Sequence, residues 1–313
     1  MGIKDLIVSK TTDQDFFQVH YFDVECSPEV DENGMGKCQI VPKKQVAKLD
    51  LFKVKAESGK RKNDELRDNF GIDIERMLRS SLVNEMKMGE DKSLYNKFLE
   101  LGEQRALETQ TKFQKFALKW FGYRPKFFIK DHEDLIRKIV LESKLIATKT
   151  RVRSANFIIV NPQLNAILQD SPMFQFTGPN KQIMGNPTIY QTGIISGSGI
   201  SVFVNPNLGF KEMKLIIGAT TKETEQGVYM AEMEHTIESA ELVNMNDLFD
   251  PKIVTEIRKK FAIISTEKAK DKFLTIWVTT KKHNLFTHLL EKLKEKLKWK
   301  KLKSGSNASV PSL

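Results

Sequence analysis

Cysteine is nearly absent from this 313-residue chain, which has only Cys26 and Cys38. Two thiols cannot build a disulfide framework or a four-cysteine zinc site. No apolar stretch approaches the roughly 18 residues that a membrane-crossing helix needs. The opening Met-Gly-Ile-Lys-Asp-Leu lacks the apolar core of about 7 to 15 residues of a signal peptide. Leu6 stands where a myristoylation motif wants Ser or Thr. These absences predict a soluble chain of cytoplasmic origin. Catalytic signatures are missing as well: there is no Walker lysine, nucleophile elbow or HExxH, and the histidines at 20, 132, 235, 283 and 288 lack metalloprotease spacing. Tyrosine (5) and tryptophan (3) are scarce beside 20 phenylalanines, but a hydrophobic fraction of 40% allows ordinary globular packing and excludes wholesale disorder.

Charge is plentiful and uneven. The chain carries 50 Lys+Arg against 40 Asp+Glu, a formal net charge of +10. Between Lys281 and Lys303 there are nine lysines against Glu291 and Glu295, so most of the excess lies in a tail and the body is nearly balanced. In that tail Leu285, Leu289, Leu293 and Leu297 recur every four residues, the spacing of a basic amphipathic helix. Such a helix packs its leucines on the protein body with a solvated lysine face, neutralises nucleic-acid phosphates, or lies on an anionic membrane, in decreasing order of weight.

Along the chain, residues 1–15 read as a mostly polar arm. Phe16 to Glu25 reads as an extended strand, rich in Phe, Val and Tyr. Turn residues follow, with Asn33-Gly34 as a tight-hairpin signal, and the chain returns through Lys37–Pro42 and Ala47–Ala56. Alternation in the returning strand sets Leu49 and Leu51 on one face, and the whole predicts a long two-stranded ribbon. Ile74, Met77, Leu78, Leu82 and Met86 begin a long helical periodicity that resumes after Gly89 and ends near Gly122 and Pro125. A second helix is expected from Asp131 to about Lys149, then a buried strand at Asn156–Val160 and a short helix at Leu164–Leu168. Ser171 to Ser201 looks loop-like. Strands are expected at Ile200–Val204, Lys214–Gly218, Gly227–Glu234, Ile253–Ile264 and Lys272–Val278. The fold class is therefore α+β, with the strands weighted toward the C-terminal half.

Three small constellations bear on chemistry. Gly197-Ser-Gly199 precedes a strand, so it lacks the helix dipole of a phosphate loop and is expected to be a turn. His20, Cys26 and Cys38 offer zinc-ligand types without an evident fourth ligand, and two ordinary thiols are the better account. Glu232, Glu234 and His235 read as a solvated strand face. No catalytic, cofactor-binding or metal residue is predicted, and no cofactor.

The succession of arm, ribbon, long helix, second helix, buried strand and sheet region resembles the major capsid proteins of tailed bacteriophages, the Hong Kong 97-type fold. The resemblance, of T-even type, is carried by Lys53-Val-Lys-Ala-Glu-Ser-Gly-Lys-Arg61 leading into Asp68-Asn-Phe-Gly-Ile-Asp-Ile-Glu75, and by Ala155-Asn-Phe-Ile-Ile-Val-Asn-Pro162. Further on it rests on Val202-Phe-Val-Asn-Pro206, Leu215-Ile-Ile-Gly-Ala-Thr220, Glu225-Gln-Gly-Val-Tyr-Met-Ala231, Asp250-Pro251, Lys260-Phe-Ala-Ile263 and Lys272-Phe-Leu-Thr-Ile-Trp-Val278. These segments are collinear over roughly residues 45 to 280. The chain departs from the pattern at Ile264-Ser-Thr, where Thr-Arg-Tyr is usual, and has no counterpart of the T-even insertion domain.

The resemblance implies a non-enzymatic shell protein of the virion, assembled in the host bacterial cytoplasm. It implies an N-terminal arm at 1–15, an E-loop ribbon at 16–52, a P-domain with the spine helix at 53–160 and 253–280, an A-domain at 161–252 and a basic tail at 281–313. Implied partners are copies of the chain in hexameric and pentameric capsomers. Other capsid, scaffold and portal proteins and packaged double-stranded DNA are further candidates, and no membrane is implied. The candidate DNA-facing residues are Lys292, Lys294, Lys296, Lys298, Lys300, Lys301 and Lys303. Two alternatives stay open at this point: a pentameric vertex protein of the same family, and a non-enzymatic nucleic-acid-binding protein acting through the tail.

Overall fold

A computed structural model describes residues 2–30, 36–121, 125–177, 188–209, 213–242 and 251–280. The chain order begins with a 3-10 turn at Ile3–Leu6, then β1 (Val8–Thr11), β2 (Phe16–Val30), β3 (Gly36–Lys48) and β4 (Asp50–Gly59). Next come α1 (Lys60–Phe70), α2 (Ile74–Thr109), α3 (Lys112–Phe121), β5 (Phe127–Phe128), α4 (His132–Thr150), β6 (Phe157–Val160), α5 (Pro162–Gln169) and β7 (Phe174–Phe176). The chain continues through β8 (Tyr190–Ile195), β9 (Ile200–Val204), β10 (Lys214–Gly218), β11 (Val228–Glu232), β12 (Thr236–Leu242), β13 (Lys252–Ser265) and β14 (Phe273–Thr279).

Two sheets and a ribbon result. One sheet runs β5-β14-β10-β6-β9-β8-β7, and the other runs β1-β11-β13-β12 with β4 also paired to β13. β2 and β3 pair with each other from Phe16 opposite Lys48 to Val30 opposite Gly36. The fully apolar β6 lies between β10 and β9 and is buried on both faces, as a continuous apolar strand requires. Its Ile158 and Val160 face Leu135, Ile139 and Leu164 of α4 and α5. Its Phe157 and Ile159 face Leu94, Phe98 and Leu101 of α2.

The 36-residue α2 joins the two sheets. At 1.5 Å per residue it spans about 54 Å. Asp73 caps its start by accepting from the Arg76 amide. Its first half lays Leu82 and Met86 on Ile257 of β13 and on Phe52, Val54 and Ala56 of β4. Its second half seats Phe98 against Phe273, with ring centroids 4.9 Å apart, and Phe157, at 5.9 Å.

The structure corrects several sequence expectations. Leu49 is buried but Leu51 is half exposed, because the ladder breaks at Leu49 between β3 and β4 and the inward set becomes Phe52, Val54 and Ala56. Met77 is exposed, since the covered stripe of α2 begins only at Leu82. An extra helix, α1, precedes Gly71, whose φ of 65° closes it in the left-handed region that glycine tolerates. The loop-like stretch contains β7 and β8, which pair across Phe174 and Ile195. Residues 1–15 are not simply polar: Ile3, Leu6 and Ile7 enter the core beside α2, and β1 pairs in parallel with β11.

Gly102 of α2 lies so close to β14 that a Cβ there would sit 2.3 Å from Thr275 Oγ1 and 2.8 Å from the Thr275 backbone nitrogen. Gly102→Ala is therefore expected to destabilise the fold by about 1–3 kcal/mol, although alanine favours helix. Urea unfolding checks this, and an unchanged or raised midpoint would contradict the close approach.

Candidate assembly surfaces

The ribbon is two-faced because side chains alternate along its strands. Phe17, Val19 and Tyr21 of β2 point inward and pack with Tyr229 and Ala231 of β11 and Ala262 and Ile264 of β13. Phe16, Phe22, Ile40 and Val46 stand on the other face, between 50% and 70% exposed. Phe22 lies directly opposite Pro42. The Phe22 amide donates to the Thr224 carbonyl at 3.0 Å, away from β3, so this is a pair without mutual hydrogen bonds. Pro42 therefore sits where the pairing of β2 and β3 needs no donor, and it blunts the ribbon's outer edge.

Ionic contacts fix the base of the ribbon. Asp23, 2% exposed, is held by Lys43 at 3.0 Å and by Lys268 at 2.5 Å. Burial favours the neutral acid, but the two ammonium groups outweigh it and hold the Asp23 carboxyl below its ordinary pKa. Lys43 also reaches Glu25 and Glu267, each at 3.1 Å. Hydrogen bonding to Asp23, Glu267 and Glu25 raises its pKa.

A second charge cluster lies inside the body. Glu90 of α2 is 1% exposed and contacts both Lys4 and Lys259, the latter at 2.6 Å. Glu232 of β11 meets the same two lysines, at 2.8 Å from Lys4 and 2.7 Å from Lys259. Two cations and two anions thus alternate in a closed ring that ties the arm, α2, β11 and β13 together. Burial works against the charge on Lys4, yet its bonds to Glu232 and Glu90 keep its pKa above the ordinary value. Burial likewise opposes the Glu232 carboxylate, and Lys259 and Lys4 overcome it to hold its pKa low. Next to the ring, Asp91 accepts from the Ile189 amide at 3.0 Å, and burial pushes its pKa up to about 6.

Residues 53–288 match the family model described as Major capsid protein Gp23. The chain belongs to this family. It is a structural protein of the virion that works by oligomeric capsid assembly, and it is not an enzyme. Its architecture is α+β. Among solved structures, the chain is similar to the holo-SrpI encapsulin complex from Synechococcus elongatus PCC 7942, with 11% identity over 90% of this chain and 88% of that one and a TM-score of 0.46. It is similar to the capsid of Cyanophage P-SCSP1u at 9% identity, covering 90% and 89%, with a TM-score of 0.47. For Mycobacterium phage Che8 the identity is 12%, the coverage 84% and 85%, and the TM-score 0.47. No curated protein sequence matches the chain.

For this Gp23-family chain, the positions singled out in the sequence fall as follows. Lys292, Lys294, Lys296, Lys298, Lys300, Lys301 and Lys303, with the leucine-spaced tail that carries them, lie outside the described residues. Register sets Cys26 opposite Cys38 but His20 opposite Lys44, six residues back along β2. At about 3.3 Å per residue that is some 20 Å from the cysteine pair, so the three positions do not converge. Gly197 and Gly199 form the turn between β8 and β9, with φ of 80° and 66°. β11 ends at Glu232, so the strand alternation expected for Glu234 and His235 does not extend to them, and Glu232 is drawn into the ring. The ring itself escaped the sequence reading. Its signal was Glu90, an acid at the fourth-residue step between Met86 and Leu94 on the apolar stripe of α2.

Two outcomes follow for stability. Glu90→Gln leaves two half-buried lysines facing one carboxylate and is expected to cost on the order of 1–3 kcal/mol, read from the urea midpoint. Asp91 binds its proton more tightly when folded than its ordinary value of 3.8 allows unfolded, so its cost to stability is fully present above about pH 6 and disappears as pH falls toward 4. Asp91→Asn should therefore stabilise the protein by on the order of 2 kcal/mol at pH 8 and leave it unchanged at pH 4. A pH-independent difference would contradict the burial of that carboxyl.

Proposed function

We propose that this chain forms hexameric and pentameric capsomers of a tailed-bacteriophage head enclosing double-stranded DNA, and that assembly takes place in the host bacterial cytoplasm. In this reading residues 1–15 are the arm, 16–52 the E-loop, 53–160 and 253–280 the P-domain, 161–252 the A-domain and 281–313 a basic tail. Scaffold and portal proteins are its further partners. The observation that carries the reading is the ribbon's outer face, where Phe16, Phe22, Ile40 and Val46 remain exposed on a two-stranded element. β11 and β13 cover the ribbon's inner face, and a neighbouring subunit supplies the cover for its outer face. Repeating such a heterologous contact by rotation closes a ring.

Replacing Pro28–Lys37 by a short Gly-Ser turn should leave the circular dichroism unchanged while sedimentation and negative-stain microscopy show subunits that form no capsomers. Normal shells from this deletion would refute the ribbon's role. The nine lysines against two glutamates after residue 280 support contact between the tail and DNA. Changing Lys292, Lys294, Lys296, Lys298, Lys300, Lys301 and Lys303 to glutamine should weaken DNA binding and flatten its salt dependence by about 0.9 in the log-log slope for each phosphate no longer neutralised. An unchanged slope would place the tail away from DNA.

A further inference from the structure

The inner face of α4 fills the core with Leu135, Ile139 and Ile146, while its outer face is open. On that outer face Arg137, Leu141, Lys144, Leu145 and Thr148 are all exposed. Their spacing of four, three, one and three residues places them on one stripe. Leu141 is 53% and Leu145 47% exposed, and Val152 just past the helix end is 60% exposed. An apolar strip of this kind on a helix that already has a packed inner face needs a second explanation.

The cations supply it. Lys138 is paired with Glu142 at 2.6 Å on the same helix, whereas Arg137 and Lys144 form no ion pair among the described residues. They stand seven residues apart, two turns of helix and about 10.5 Å. Beside the stripe a cavity of about 780 Å³ opens between α4 and the turns that hold Met173 and Ser196. The Ser196 hydroxyl is buried without a hydrogen-bond partner among the described residues, and Met173 is 52% exposed.

We propose that the outer face of α4 is a docking surface for an acidic amphipathic helix of another protein. Leu141 and Leu145 at i and i+4 match the apolar face of such a helix, and Arg137 and Lys144, which stand between those leucines and the cavity, match carboxylates flanking it. The stripe from Arg137 to Thr148 is about 16 Å long, three turns of a partner helix. The exposed Leu141, Leu145 and Met173 favour a protein helix over a nucleic-acid backbone, which would use the cations but leave the apolar strip uncovered. The proposal concerns a face of α4 and does not depend on the ribbon's role.

The test uses the full chain and an 18-residue fluorescent peptide carrying leucine at helical i, i+3, i+4 and i+7 spacing and glutamate on the flanks. Anisotropy should show binding that falls at least tenfold in Arg137→Glu/Lys144→Glu and at least tenfold in Leu141→Ser/Leu145→Ser. All four side chains are exposed, so the circular dichroism should stay unchanged. Arg137→Gln/Lys144→Gln, with a smaller loss, serves where charge reversal disturbs folding. The proposal is overturned if the parent chain ignores the acidic peptide or binds a lysine-flanked version equally well. It also fails if duplex DNA binds with dependence on Arg137 and Lys144 but not on the leucines, which makes the face a phosphate site. Hydrogen exchange showing α4 amides protected by self-assembly alone would give the face to another copy of the chain and end the proposal.

Discussion

The ring of Lys4, Glu90, Lys259 and Glu232 is the contact on which the body's arrangement turns, because each member comes from a different element. Burying the Glu90 carboxylate and partly desolvating the other three charges is expensive unless each finds an opposite partner. Every member of the ring meets two opposite charges, so the net charge is zero. That closure holds only if the arm, α2, β11 and β13 stand in one relative position. Apolar contacts around the ring, such as Leu94 and Phe98 against Ile3 and Leu6, supply the bulk of the burial. The ring adds paired charges from four separate elements to that burial.

From that fixed point the two sheets take their places along α2. The first half of the helix serves β4 and β13, and the second half serves β14 and β6, so one helix must present two differently shaped walls. Gly89 and Gly102 meet this demand at different places. A Cβ at Gly89 would enter the Phe52 ring, and one at Gly102 would strike the backbone of β14. Glycine weakens a helix interior by roughly 0.5–1 kcal/mol relative to alanine. Close approach of an aromatic ring and of a strand is what that weakness allows.

Much of this was legible in the sequence wherever one periodicity governed a segment. β6, β9, β10, α4 and β14 lie close to where alternation, apolar runs and helical spacing put them, because each is buried in a way that its own residues declare. The ribbon's two strands were legible from a composition rich in Phe, Val and Tyr, while the Asn33-Gly34 turn signal lies outside the described residues. Legibility failed where a distant strand decided the outcome. Leu49 and Leu51 look alike locally, but pairing of β4 with β13 rather than with the ribbon reverses which side chains turn inward. The arm looked mostly polar because its short apolar start, which holds Ile3, Leu6 and Ile7, is followed by Thr11-Thr-Asp-Gln-Asp15. Lys4 itself reads as solvated until Glu90 and Glu232 are seen beside it.

The same contrast separates the body from its surfaces. A subunit that must pack against copies of itself keeps its interior charges matched, as Asp23 with Lys43 and Lys268 and Glu225 with Lys272 illustrate. Its uncovered apolar groups include a set aligned on the ribbon's outer face. There Phe22 and Ile40 point outward with Pro42 guarding the edge, so a partner can bury the face without the strand edge recruiting unwanted strands. Sequence periodicity cannot distinguish a residue awaiting a partner from one merely exposed, because both sit on the polar side of their own element. Three-dimensional context can, since it shows whether the charges flanking an exposed leucine are already paired.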